Sequence, residues 1–137
     1  MDLINKIKIN EILPIEVILD DSSEKEVVFY IKPPYDIKFS VERLGDGYYK
    51  ISDLGTFSDF LLKYNYELDD DFGFLLDKFV SGLKKVGDQL VMYSCENFLN
   101  LNIGLFITTL LGWIFFVEVN EFLDKEWEKE ICKDKKK

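Results

Sequence analysis

The 137-residue chain has no histidine, only two cysteines and three prolines. Each scarcity excludes something. Without histidine there is no Ser-His-Asp or Cys-His arrangement, and two distant thiols, Cys95 and Cys132, cannot supply a zinc site alone. Both read as free thiols, and without a nearby His neither has an obvious base to activate it as a nucleophile. No GxxxxGK(S/T) occurs, and Gly45, Gly47 and Gly55 do not form a GxGxxG that follows a strand and opens a helix, so the familiar phosphate cradles are missing. No cofactor is implied. So few Gly, Pro and Cys also exclude a collagen-like chain and a disulfide scaffold. The opening Met1-Asp2-Leu3-Ile4-Asn5-Lys6 lacks the apolar stretch of a signal peptide, which makes a reducing cytoplasm the expected location.

Acidic residues outnumber basic ones 26 to 17, a formal charge of -9. Such a chain repels phosphate backbones, so nonspecific nucleic-acid binding is not expected, and its surface suits a basic protein partner. The only basic run, Lys133, Lys135, Lys136 and Lys137 around Asp134, reads as a solubilising end. A hydrophobic content of 47% excludes intrinsic disorder. The length suits a single domain over 1–137, with a core from about 12 to 123 and a charged tail over 124–137.

Two periods divide the chain. Residues 2–13 carry Leu3, Ile4, Ile7, Ile9, Ile12 and Leu13 among lysines and Glu11, a short amphipathic helix ended by Pro14. Ile15 to Leu19 and Glu26 to Ile31 read as strands about a turn at Asp20–Ser23. From Asp36 to Leu44, Ile37, Phe39 and Val41 alternate with polar residues, and Gly45-Asp46-Gly47 supplies a hairpin turn before Tyr48 to Ser52. The period then lengthens to helical. Thr56 or Ser58 can cap a helix over 57–65, Asp69 to Asp71 can cap another over 70–81, and a hairpin about Gly87-Asp88 joins Leu83–Val86 to Gln89–Tyr93. The aromatics Phe57, Phe60, Tyr64, Tyr66, Phe72, Phe74 and Phe79 fall at spacings that favour core packing over base stacking.

No charge interrupts the stretch between Glu96 and Glu118, which is long enough to cross a bilayer as a helix. Asn100 and Asn102 would lack partners in lipid, and no basic bias marks either flank. Gly104, Thr108 and Gly112, spaced by four, permit close backbone approach in either setting. The spacing predicts a helix over 98–117, apolar all round and buried as the central helix against the sheet. Membrane insertion is the less expected alternative.

Carboxylates are the remaining candidate machinery. Asp20 with Asp36-x-Lys38 imitates the acids and lysine that hold Mg²⁺ at a sheet edge in nucleases, though in so acidic a chain solvated strand-edge charges account for them.

The run Tyr49-Lys50-Ile51-Ser52-Asp53-Leu54-Gly55-Thr56, followed by an apolar helix and Leu61-Leu62-Lys63-Tyr64-Asn65, resembles the central motif of the uncharacterised DUF1828 family of bacteria, archaea and phages. In that family a strand ends in an S/T-D-x-G-x-T turn leading into a helix, and the likeness extends loosely over 26–117. Thr56 follows Gly55 directly, so Phe57 stands where the family's Thr would be. Leu, Phe and Trp113 replace polar positions of its closing helix. The resemblance implies mobile-element and defence-related contexts without a set reaction. If the family shares a binding site, Ser52, Asp53 and Thr56 are its first candidates. On the residues alone, Asp53 accepts N–H bonds across the turn, Gly55 adopts a conformation other residues avoid and Thr56 caps the helix.

The expected fold is α+β: a mostly antiparallel sheet of five or six strands against a long apolar C-terminal helix and two shorter ones. The expected function is non-enzymatic, an acidic inhibitor, immunity or anti-defence factor for a basic partner. The alternatives are a metal-dependent enzyme acting on nucleic acid through Asp20, Asp36 and Lys38, and a module anchored in a membrane by 98–117.

Overall fold

In the computed structural model of the chain, the described residues are 3–8, 16–33, 35–69 and 82–135, with side chains described to Glu130. The elements are α1 (Leu3–Lys6), β1 (Val17–Ser22), β2 (Glu26–Ile31), β3 (Ile37–Gly45), β4 (Tyr48–Ser52), α2 (Thr56–Leu62), β5 (Lys84–Val86), β6 (Gln89–Cys95), a 3-10 turn (Glu96–Phe98) and α3 (Leu99–Lys135). The six strands form one sheet in the order β1-β2-β3-β4-β6-β5. Every neighbouring pair is antiparallel. This is an α+β domain.

Turn chemistry sets the hairpins. Gly47 (φ 77) and Gly87 (φ 61) take the left-handed conformation that closes β3–β4 and β5–β6. The β1–β2 turn falls later than the sequence suggests. Ser23 accepts the Glu26 N–H at 3.1 Å through its hydroxyl, so β1 runs on through Ser22 with a bulge between Leu19 and Asp21. Along the strands one face packs inward, with Val27, Phe29 and Ile31 registered against Val41, Phe39 and Ile37, and Val41 in turn against Ile51. These residues share one core with Leu3 of α1, Phe57, Phe60 and Leu61 of α2 and the inner face of α3. Tyr64 is half-buried against that core, whereas Tyr66 is exposed.

Two helices are shorter than their sequence patterns. The helix expected over 2–13 ends at Lys6, since Ile7 and Lys8 are already non-helical; residues 9–15 lie outside the described residues. The helix expected over 57–65 spans Thr56–Leu62. Asn65 takes φ 64 and ends it: its N–H reaches the Leu62 carbonyl at 3.1 Å while the Tyr66 N–H reaches that of Leu61 at 3.0 Å. The helix expected over 70–81, with Phe72, Phe74 and Phe79, lies outside the described residues.

The C-terminal helix is longer and less buried than expected. It has 37 residues, about 55 Å at 1.5 Å per residue, and takes in most of the expected tail. Leu99, Ile103, Phe106, Ile107, Leu110, Ile114 and Val117 recur at three- and four-residue steps and are buried. The sheet covers only that stripe, so the helix is not enclosed all round. After Val117 no further described residue of α3 is buried, and the same side of the helix turns to Glu121, Asp124 and Glu128.

Candidate functional site

The turn from β4 into α2 holds the first candidate group. Asp53 is 0% exposed. Its Oδ1 accepts the N–H groups of Gly55 at 3.0 Å and Leu90 at 2.9 Å, and its Oδ2 accepts that of Phe57 at 3.1 Å. Burial pushes the carboxyl above its ordinary value of 3.8, and the N–H bonds from Gly55, Leu90 and Phe57 pull it back. Because Leu90 begins the inner part of β6, this one side chain joins the turn to a strand remote in sequence. Leu54 (φ 56) and Gly55 (φ 82) both adopt the left-handed conformation, which for Leu54 is strained.

Thr56 does not cap α2 through its side chain. It is the first helical residue after Gly55, and its hydroxyl donates to the Asp53 carbonyl at 2.8 Å or that of Lys38 at 3.1 Å. The acceptor at the helix start is instead the Asp53 carboxylate, on the Phe57 N–H. Ser52, also buried, donates to Gln89 Oε1 at 2.7 Å and accepts the Leu54 N–H at 3.1 Å. The three candidates are thus brought together, each bonded to its own fold.

On the sheet, Lys38 Nζ stands 3.5 Å from Asp20 Oδ2, two strands away, with both side chains about half exposed. Asp36 Oδ1 accepts the Tyr30 hydroxyl at 2.7 Å, an interaction that raises the Tyr30 pKa. Tyr30 pairs with Lys38 across β2 and β3. Among the described residues no three His, Cys, Asp or Glu side chains gather to hold a metal ion. Asp69 is the one described member of the Asp69–Asp71 run, and Cys95 is a free, exposed thiol.

Where the 3-10 turn leads into α3, Glu96 accepts from Lys6 Nζ and, at 3.4 Å, from the Tyr49 hydroxyl. The bond from Lys6 lowers the Glu96 pKa, and the same contact raises that of Lys6. Asn100 donates to the Lys6 carbonyl at 3.0 Å and accepts the Lys8 N–H at 2.9 Å, while Asn102 donates to Ser94 Oγ at 2.8 Å. Farther along, Tyr66 donates to Glu121 at 2.6 Å. The two amides singled out in the apolar stretch therefore tie α3 to α1 and β6.

Opposite its buried stripe, α3, with the 3-10 turn before it, carries a second apolar stripe in solvent. Phe98, Leu101 and Leu105 begin it; Phe115, Phe116 and Val119 continue it; Phe122, Leu123 and Trp127 end it, with Phe115 69% and Trp127 68% exposed. Thr108 and Gly112 lie on the same line and are also exposed. At Gly112 an added Cβ would meet nothing within 4 Å, and its backbone is ordinary helix. The sequence pattern carried this stripe, but the run's uniform hydropathy masks the phase that separates two faces. By length and composition Glu96–Glu130 is also able to cross a membrane, and 33% of its most apolar window is buried in the fold.

Comparison with protein-family models, with curated proteins and with solved structures found no match.

Proposed function

We propose that the chain is a small, acidic, non-enzymatic interaction protein that works by docking onto other protein surfaces. The apolar stripe of α3 carries this reading. A soluble monomer rarely leaves so many large apolar residues contiguous in solvent, and such a face marks an interaction site. The formal charge of -9 favours a basic partner, steered by carboxylates outside the stripe. With the DUF1828-like turn, this suits an inhibitor, immunity or anti-defence factor of a mobile element. The candidate carboxylates Asp53, Asp36 and Asp20 each have a partner within the fold, as a scaffold requires.

The test is recovery of proteins bound to the tagged full chain at low and at moderate salt. A basic protein retained at low salt and released as salt rises is expected. Retention of no protein, with no self-association either, would overturn the reading. In the metal-dependent alternative, Asp36→Ala abolishes a Mg²⁺-dependent nuclease activity without altering the fold. In the membrane alternative, the chain stays soluble only in detergent.

A further inference from the structure

We propose that the exposed stripe of α3 is covered by the same stripe of a second copy, the two helices crossing antiparallel about Gly112. This deepens the interaction reading and rests on it.

The area comes first. Taking about 200 Å² for a fully exposed large apolar residue, the stripe offers on the order of 1,000 Å² per chain. That exceeds the roughly 300–600 Å² of the largest patch on an ordinary monomer and matches the roughly 800 Å² per partner of a stable interface. The stripe is also continuous, spanning some 44 Å from Phe98 to Trp127 at 1.5 Å per residue. It does not end where the sheet ends. Beyond Val117 the opposite side becomes acidic while this line stays apolar, so its pattern is independent of the protein's own core.

Charge and size then select the occupant. An amphipathic helix lying on a bilayer carries mostly Lys and Arg on its polar face, whereas here Glu118, Glu121, Asp124 and Glu128 outnumber Lys125 and Lys129 on that side. A second copy presents no such repulsion, because Glu126 is the only charge on the line up to Trp127. The stripe is narrow at Thr108 and Gly112 and bulky at Phe115 and Phe116. With a two-fold axis at Gly112, Phe116 faces the partner's Thr108, Leu105 the partner's Val119 and Leu101 the partner's Leu123. At Phe116 and Thr108 bulk then meets hollow, and the leucines meet apolar residues. A parallel pair would instead set Phe116 on Phe116 and Glu126 on Glu126. The crossing also explains a glycine in mid-helix, which costs about 1 kcal/mol relative to alanine and has no steric reason among the described residues.

The experiment is sedimentation of the purified full chain over a wide concentration range, with Leu105→Glu as the disrupting variant. Wild type sediments as two chains, and Leu105→Glu weakens the dimer about 100-fold while its circular dichroism is unchanged, because position 105 is exposed in one chain. Orientation is read by disulfide formation in a Cys95→Ser, Cys132→Ser background. Gly112→Cys links to itself and Leu123→Cys does not; the reverse pattern overturns the antiparallel crossing. A wild type that stays monomeric overturns the proposal. If that monomer retains a foreign protein, the interaction reading survives; if it floats with neutral phosphatidylcholine vesicles, lipid is the occupant and both fail.

Discussion

Replacing Asp53 by Asn changes one atom of a buried group and separates its two roles. The carboxylate offers two oxygens to three N–H groups, two on Oδ1 and one on Oδ2. Asparagine keeps one oxygen. If that oxygen stays with Gly55 and Leu90, the amide NH2 turns toward the Phe57 N–H, and a donor in the core loses its acceptor at about 1–3 kcal/mol. Asp53→Ala strips all three and costs on the order of 3 kcal/mol or more. Urea unfolding followed by circular dichroism, at one protomer concentration, measures both. The pH dependence has a definite sign. Because burial raises the folded pKa of Asp53 above 3.8, its contribution is fully present below that ordinary value and declines as pH rises through the raised one. The stability gap between wild type and Asp53→Asn therefore narrows across this window, while effects of overall charge largely cancel in the difference. An Asn variant within about 0.5 kcal/mol of wild type at the acid end of this window, or a gap that widens with pH, would refute this account.

Four further outcomes follow from the geometry. Leu54→Gly should leave stability unchanged or raise it by up to about 1 kcal/mol in urea, since it relieves a left-handed residue whose side chain is exposed. Ile103→Ala, at the buried face of α3, should cost about 2–5 kcal/mol by the same assay. Glu96→Gln should speed amide exchange in α1; in wild type the support from Glu96 is present above its ordinary value of 4.5 and lost as pH falls through the lowered folded one. Asp20→Asn should change stability by less than about 0.5 kcal/mol, because its pair with Lys38 is half exposed.

The sheet was legible where chemistry is local. Alternation at Ile37, Phe39 and Val41 and the glycines at 47 and 87 mark two of the hairpins that form, β3–β4 and β5–β6. The insertion of β6 between β4 and β5 was not, because no local signal states that Ile51 pairs with Met92. Asp53 illustrates the limit: its turn is written at 52–56, but one of its three donors is Leu90. The reach of α3 was hidden differently. The segment 124–137 reads as a charged tail by composition, yet it continues the helix, and Trp127 keeps the phase of Phe115, Val119, Phe122 and Leu123. Gly112, in the middle of so long a helix, meets no neighbour among the described residues, and its neighbour there is proposed to be another molecule.

Both borders of the sheet are made poor templates for adding a further strand. At one, β1 is broken by the bulge at Leu19 and Asp21 and carries Asp20 and Asp21 in succession; at the other, β5 is three residues long and begins Lys84-Lys85. A growing fibril would meet charge, kink or too short a ladder on either side. Raising the concentration of folded chain should therefore drive finite, helix-mediated assembly rather than open-ended β-polymerisation.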